Sequence, residues 1–92
     1  MALTPEKREA LTMARTHIET QRETYICLAL DYVKNRHPRL QNACDSIADF
    51  IRDALDCYSL DIWQCYRGIS RSPDQRGADR IAWIDWMLGD EL

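Results

Sequence analysis

Ninety-two residues, 46% of them hydrophobic and 29% charged, make one domain with a small core. No stretch approaches the roughly 20 apolar residues of a membrane span, and Met1 to Pro5 lacks the basic and apolar regions of a secretory leader, so a cytoplasmic protein is expected. The net charge of -3 disfavours non-specific binding to nucleic acid, and three Gly with three Pro are too few for a fold of many β-turns.

The first helix start is Thr4-Pro5-Glu6-Lys7, with Thr4 as cap and Pro5 at the first helical position. Leu11, Ala14 and Ile18 mark an apolar stripe, with Met13 alongside, and the helix should run to about residue 19. The polar stretch Glu19 to Glu23 reads as a turn, although no Gly or Pro forbids a continuous helix across it. A second helix is expected over Thr24 to Asn35, with Ile26, Leu30 and Val33 inward and Tyr25, Cys27 and Ala29 adding apolar surface. It must stop near His37, because the residue before Pro38 is pushed out of helical geometry. The third helix has the clearest period: Leu40, Ala43, Cys44, Ile47, Ile51, Ala54, Leu55 and Tyr58 predict a helix from about 39 to 57.

A short fourth helix follows, capped by Ser59, with Leu60, Ile62, Trp63 and Tyr66 as its contacts and Gly68 as its end. The last helix opens on Ser72, Pro73 and Gln75, an N-terminal signature of cap, proline and back-reaching amide. It closes at Gly89, a residue suited to a left-handed turn. Ile81, Ile84 and Leu88 fall on one of its faces and Trp83, Trp86 and Met87 on the next, leaving Ala82 and Asp85 on the remaining side. No run alternates at period two. The expectation is an all-α, single-domain bundle of about five helices, spanning residues 1–92 and packed around this Trp-rich C-terminal helix.

Chemistry is hard to place on this sequence. Cys27, Cys44, Cys57 and Cys65 are separated by 16, 12 and 7 residues, which matches no zinc pattern, and they read as small apolar residues, reduced in a cytosol. His17 lies on the first helix and His37 in a turn, and no motif brings either to a cysteine. There is no phosphate-binding glycine loop, no nucleophile elbow and no metalloprotease motif. No enzyme, no metal and no cofactor is therefore expected.

Two surfaces remain for a partner. Asp45, Asp49, Asp53 and Asp56 lie opposite the apolar side of the third helix. The first three are one turn apart, about 6 Å each, a spacing suited to basic side chains that otherwise hold nucleic-acid phosphates. The second surface is the face of Trp83, Trp86 and Met87: a small domain needs such large side chains to fill its centre, and part of the face could instead meet a partner or a second copy, tryptophan being enriched in binding hot spots. The alternative is a DNA-binding or transcription-regulating module using the basic segment 67–80, where Arg67, Arg71, Arg76 and Arg80 outnumber Asp74 and Asp79.

The segments Tyr25-Ile26-Cys27-Leu28-Ala29-Leu30-Asp31, Leu60-Asp61-Ile62-Trp63 and Arg80-Ile81-Ala82-Trp83-Ile84-Asp85-Trp86-Met87 are similar to those of a set of small phage and prophage proteins, over residues 4 to 88. The shared motifs are structural and specify no activity. The resemblance implies a phage or mobile-element origin and a bacterial cytoplasm. Short, acidic phage proteins without catalytic motifs often bind host complexes, anti-CRISPR proteins among them. The expected function is therefore inhibition of a bacterial host complex, of the anti-CRISPR or other anti-defence kind and with a CRISPR effector as a candidate target. Contact would be through the acidic helix face, without membrane or direct nucleic-acid binding. Self-association through the Trp face, as a homodimer or a phage structural protein, is the other alternative.

Overall fold

The computed structural model of the chain describes residues 2–21, 24–55 and 73–90, with their side chains except at 53–55, 73–76 and 90. Helix α1 spans Pro5–Thr20. Its start follows from local chemistry: Thr4 is extended, its Oγ1 accepts from the Lys7 amide at 3.2 Å, and Pro5 occupies a position whose amide would have no helical acceptor. Ala10, Leu11, Ala14 and Ile18 are buried along one side. The helix stops at Gln21, whose amide donates to the His17 carbonyl.

Helix α2 spans Ile26–Arg36, two residues later at its start than the apolar pattern predicts. Thr24 does not enter the helix because its amide closes a turn onto the Gln21 carbonyl at 2.9 Å. Tyr25 then takes the cap position with extended backbone and no side-chain cap bond. At the other end His37 leaves helical geometry ahead of Pro38. Pro38–Leu40 forms a single 3-10 turn, which takes up the beginning of the helix expected from residue 39. Helix α3 is Gln41–Leu55. Ala43, Cys44, Ile47 and Ile51 are buried on it, and Ala48 and Phe50 are half-buried against the same core.

Helix α4 is Pro73–Asp85, and it widens into a π turn over Trp86–Asp90. Gly89 is not left-handed. The wide turn carries the coil past it, so no chain reversal falls there. The fourth helix expected over Ser59 to Gly68, and the Ser72 cap, lie outside the described residues, as do Cys57, Tyr58 and Cys65. Among the described residues all regular structure is helical, with four α-helices.

Helix α1, rather than the Trp-rich helix, is the element that touches the others: it packs on α2, α3, α4 and the 3-10 turn, whereas α4 packs chiefly on α1 and its own π turn. The reason lies in side-chain size. Ala10 and Ala14 are one turn apart and fully buried, and small residues at a crossing let helix axes approach closely.

The inward face of α4 is also rotated from the expected one. Gly77, Arg80, Ile84 and Met87 are buried, and Ile81, Leu88, Trp83 and Trp86 are partly covered on either side. Arg80 is 1% exposed, and its guanidinium carbon lies 4.5 Å from the centroid of the Tyr25 ring. A long apolar stem can share a core with aliphatic neighbours while its head rests on an aromatic face.

Three charged clamps tie the elements together. Arg39 grips Glu9 with two bonds, of 2.9 and 2.6 Å, joining the 3-10 turn to α1. Arg15 reaches both carboxylate oxygens of Asp85, at 2.8 and 3.3 Å, joining α1 to α4. Lys34 Nζ meets Asp45 at 3.1 Å, joining α2 to α3. Arg8 adds a bond from its guanidinium to the Leu88 carbonyl at 3.3 Å.

Candidate functional site

The outer side of α3 carries the acidic ridge. With Ile47 and Ile51 fully buried, the side chains of Asp45 and Asp49 are left 48% and 61% exposed. Asp53 stands one turn further along the same helix; its side chain and Asp56 are outside the described residues. The ridge is not a bare row of charge. Lys34 is shared by Asp45 at 3.1 Å and Asp31 at 3.5 Å, and Arg52 pairs with Asp49. The hydrogen bond to Asp45, and then its charge, hold the Lys34 ammonium above the usual lysine range. Three carboxylates thus face two cations here. Asp45 has a structural duty that its spacing on the helix did not reveal, because the partner lies on α2.

The aromatic surface is partly covered. Trp83 and Trp86 meet edge to face, with centroids 5.6 Å apart and planes at 86°. Both are half-buried against the core. Met87 is 0% exposed. It sits three residues from Ile84 and seven from Arg80, on the buried side of the coil, so it is a core residue and cannot meet a partner. Arg80 is likewise lost to the basic segment 67–80: enclosed and resting on Tyr25, it cannot reach a nucleic-acid backbone. Arg67 and Arg71 lie outside the described residues, and so does the Arg76 side chain.

A third feature lies between α1 and α2. Thr12, Met13, Thr16, His17 and Thr20 from α1 face Tyr32, Val33 and Arg36 from α2 and His37 beyond it, around an open groove of about 400 Å³. The His17 ring stacks on Tyr32 with centroids 4.0 Å apart and planes 12° from parallel. The Arg36 guanidinium carbon lies 4.9 Å from the Tyr32 centroid. Treating each histidine by itself hides this grouping. The signal that was present is the recurrence of Thr12, Thr16 and Thr20 at every fourth residue, a polar line on a helix whose opposite side is apolar.

Cys44 is a buried thiol and Cys27 a half-buried one. Burial, with a smaller contribution from the Asp45 charge, pushes the Cys44 thiol above its usual pKa, which suppresses the thiolate. Among the described residues no three His, Cys, Asp or Glu side chains are grouped so as to hold a metal ion, and no helix is long and apolar enough to cross a membrane. Compared with known protein families, curated proteins and solved structures, the chain matches none.

Proposed function

We propose that this chain is a phage-type protein that binds and inhibits a bacterial host complex, of the anti-CRISPR or other anti-defence kind, and that it makes contact through the outward face of α3. One observation carries the reading: α3 is strongly two-sided, with Ile47 and Ile51 sealed and the Asp49 side chain 61% exposed directly opposite. Asp53 extends the line by one turn. A carboxylate row on a rigid helix meets lysines and arginines that otherwise hold phosphates, and such an encounter is steered by charge and weakened by salt.

The test is a plaque assay in a host whose CRISPR immunity restricts the infecting phage. Expression of the chain is expected to restore plaques, and Asp49→Lys with Asp53→Lys is expected to abolish the effect while helicity and melting temperature hold. Failure of the wild-type chain to protect a phage rejects the anti-CRISPR form of the reading, and the same failure in hosts armed with other defence systems rejects the anti-defence reading. Equal protection by the folded double variant rejects α3 as the contact. Self-association is supported by the partial exposure of Trp83 and Trp86; a strict monomer in sedimentation across a wide concentration range removes it.

A further inference from the structure

We propose that the groove between α1 and the C-terminal half of α2 is a binding site for a small phosphate ester that also carries hydroxyl groups, of the sugar-phosphate or nucleoside-monophosphate class. The inference is independent of the α3 contact. Its first support is charge. The chain is net -3, yet none of the nine groove residues is acidic, and three of them, His17, Arg36 and His37, are basic. Arg36 is one of the cations that no carboxylate neutralises among the described residues, with Lys7 and Arg8, which bond to the Ala2 and Leu88 carbonyls. Arg15, Lys34, Arg39 and Arg52 are each paired with a carboxylate, whereas Arg36 has no carboxylate partner among the described residues and rests on the Tyr32 ring. A guanidinium braced on a ring offers its fork of N–H groups to an oxyanion, the geometry that phosphate takes well.

The second support is the opposite wall. Thr12 Oγ1 donates to the Arg8 carbonyl at 2.8 Å, Thr16 Oγ1 to the Thr12 carbonyl at 3.2 Å, and Thr20 Oγ1 to the His17 carbonyl at 2.9 Å. Each hydroxyl proton is committed to backbone, so the capacity left to each oxygen on this wall is that of an acceptor. The α2 side therefore supplies the Arg36 donors and positive charge, and the α1 side supplies the threonine acceptors with His17 among them. An inorganic anion would use only the first. A sugar would use only the second. A ligand with a phosphate at one end and hydroxyl donors at the other uses both. The volume, about 400 Å³, falls within the range of small-molecule sites, and Met13 and Val33 supply apolar wall beside the polar groups.

The test is amide-shift NMR on the isotope-labelled chain, titrated separately with inorganic phosphate, ribose, ribose phosphate and AMP. At least one ester is expected to give saturable shifts centred on Thr16, His17, Tyr32, Arg36 and His37, about tenfold or more tighter than phosphate or ribose alone. Which ester binds tighter identifies the source of the phosphate. Arg36→Gln is expected to weaken ester and phosphate alike, by about 10- to 100-fold. Thr16→Val is expected to weaken the esters and leave phosphate unchanged. Both positions are exposed, so both variants should keep the native melting temperature. Absence of saturable shifts, shifts scattered over surface cations such as Lys7 and Arg8, phosphate binding as tightly as both esters, or ester affinity unchanged in Arg36→Gln would each overturn the proposal.

Discussion

Ala14→Leu tests whether α1 is the packing centre. Ala14 is 0% exposed, one turn from Ala10 and from Ile18, on the helix that touches α2, α3 and α4. The substitution adds three carbons. Were there space for them, burial would stabilise the fold by about 0.8 kcal/mol per carbon. In a closely packed crossing the same carbons force neighbours off their rotamers, at a net cost of about 1–3 kcal/mol. Leucine and alanine differ little in helix propensity, so the sign of the change reports packing. Against a total stability of about 5–14 kcal/mol for a domain of this length, the melting temperature should fall by roughly 5–20 °C. Ala82→Leu is the matched control, because Ala82 lies exposed on α4; its effect should stay within about 0.5 kcal/mol. Thermal and urea unfolding followed by far-UV circular dichroism measure both, with an unchanged urea slope marking a true stability effect. An Ala14→Leu variant as stable as the wild type, or equal losses at both positions, refutes α1 as the centre.

Acid should loosen the clamp on α1. Hydrogen bonding from Arg39, and then its charge, depress the Glu9 pKa below the usual carboxylate value. A depressed folded pKa contributes stability above the unfolded value, about 4.3, and the contribution disappears as pH falls through the folded value. The urea midpoints of wild type and Glu9→Gln should therefore converge in acid and separate above it; a gap independent of pH refutes the pairing. Lys34 has the opposite sign. Its raised folded pKa contributes below the unfolded value of about 10.4 and loses effect as pH rises through the folded value. The gap between wild type and Lys34→Gln should close only in strong alkali, and closure at neutral pH refutes it. Finally, the buried Cys44 thiol should resist alkylation until the chain unfolds, read by peptide mass spectrometry; native labelling at the unfolded rate refutes its burial.

Features fixed by neighbouring residues were legible in the sequence. Thr4 with Pro5 started α1, Pro38 ended α2, and the period from Leu40 to Ile51 set the inward face of α3. What escaped was the phase of α4 and the pairing of charges. Arg15 and Asp85 are 70 residues apart in the chain, Arg39 and Glu9 are 30 apart, and Lys34 and Asp45 are 11 apart. No local pattern selects one such partner among 12 Lys and Arg and 15 Asp and Glu. Arg80 misleads for a related reason. A residue type that is almost never buried alone is read as surface, yet here the start of α2 places the Tyr25 ring where its guanidinium lies. Met87 follows from the same rotation of α4, which turned one residue of the expected aromatic face into the core.

The clamps also decide how the acidic ridge can be tested. Asp45 and Asp49 look equivalent by spacing, but Asp45 holds α2 to α3 through Lys34, whereas the Asp49 partner, Arg52, is on the same helix three residues away. Reversing Asp45 would set two ammonium groups against each other across the α2–α3 contact. That variant would lose the proposed inhibition through a loosened fold even if the ridge touched nothing. Reversing Asp49 brings it against Arg52 on an exposed surface, where like charges three residues apart cost only a few tenths of a kcal/mol. The contact surface is therefore to be tested at Asp49 and Asp53. Asp45→Asn serves as the stability reference: it should unfold earlier than Asp49→Asn, and an equal midpoint for the two would show that Asp45 belongs to the ridge alone.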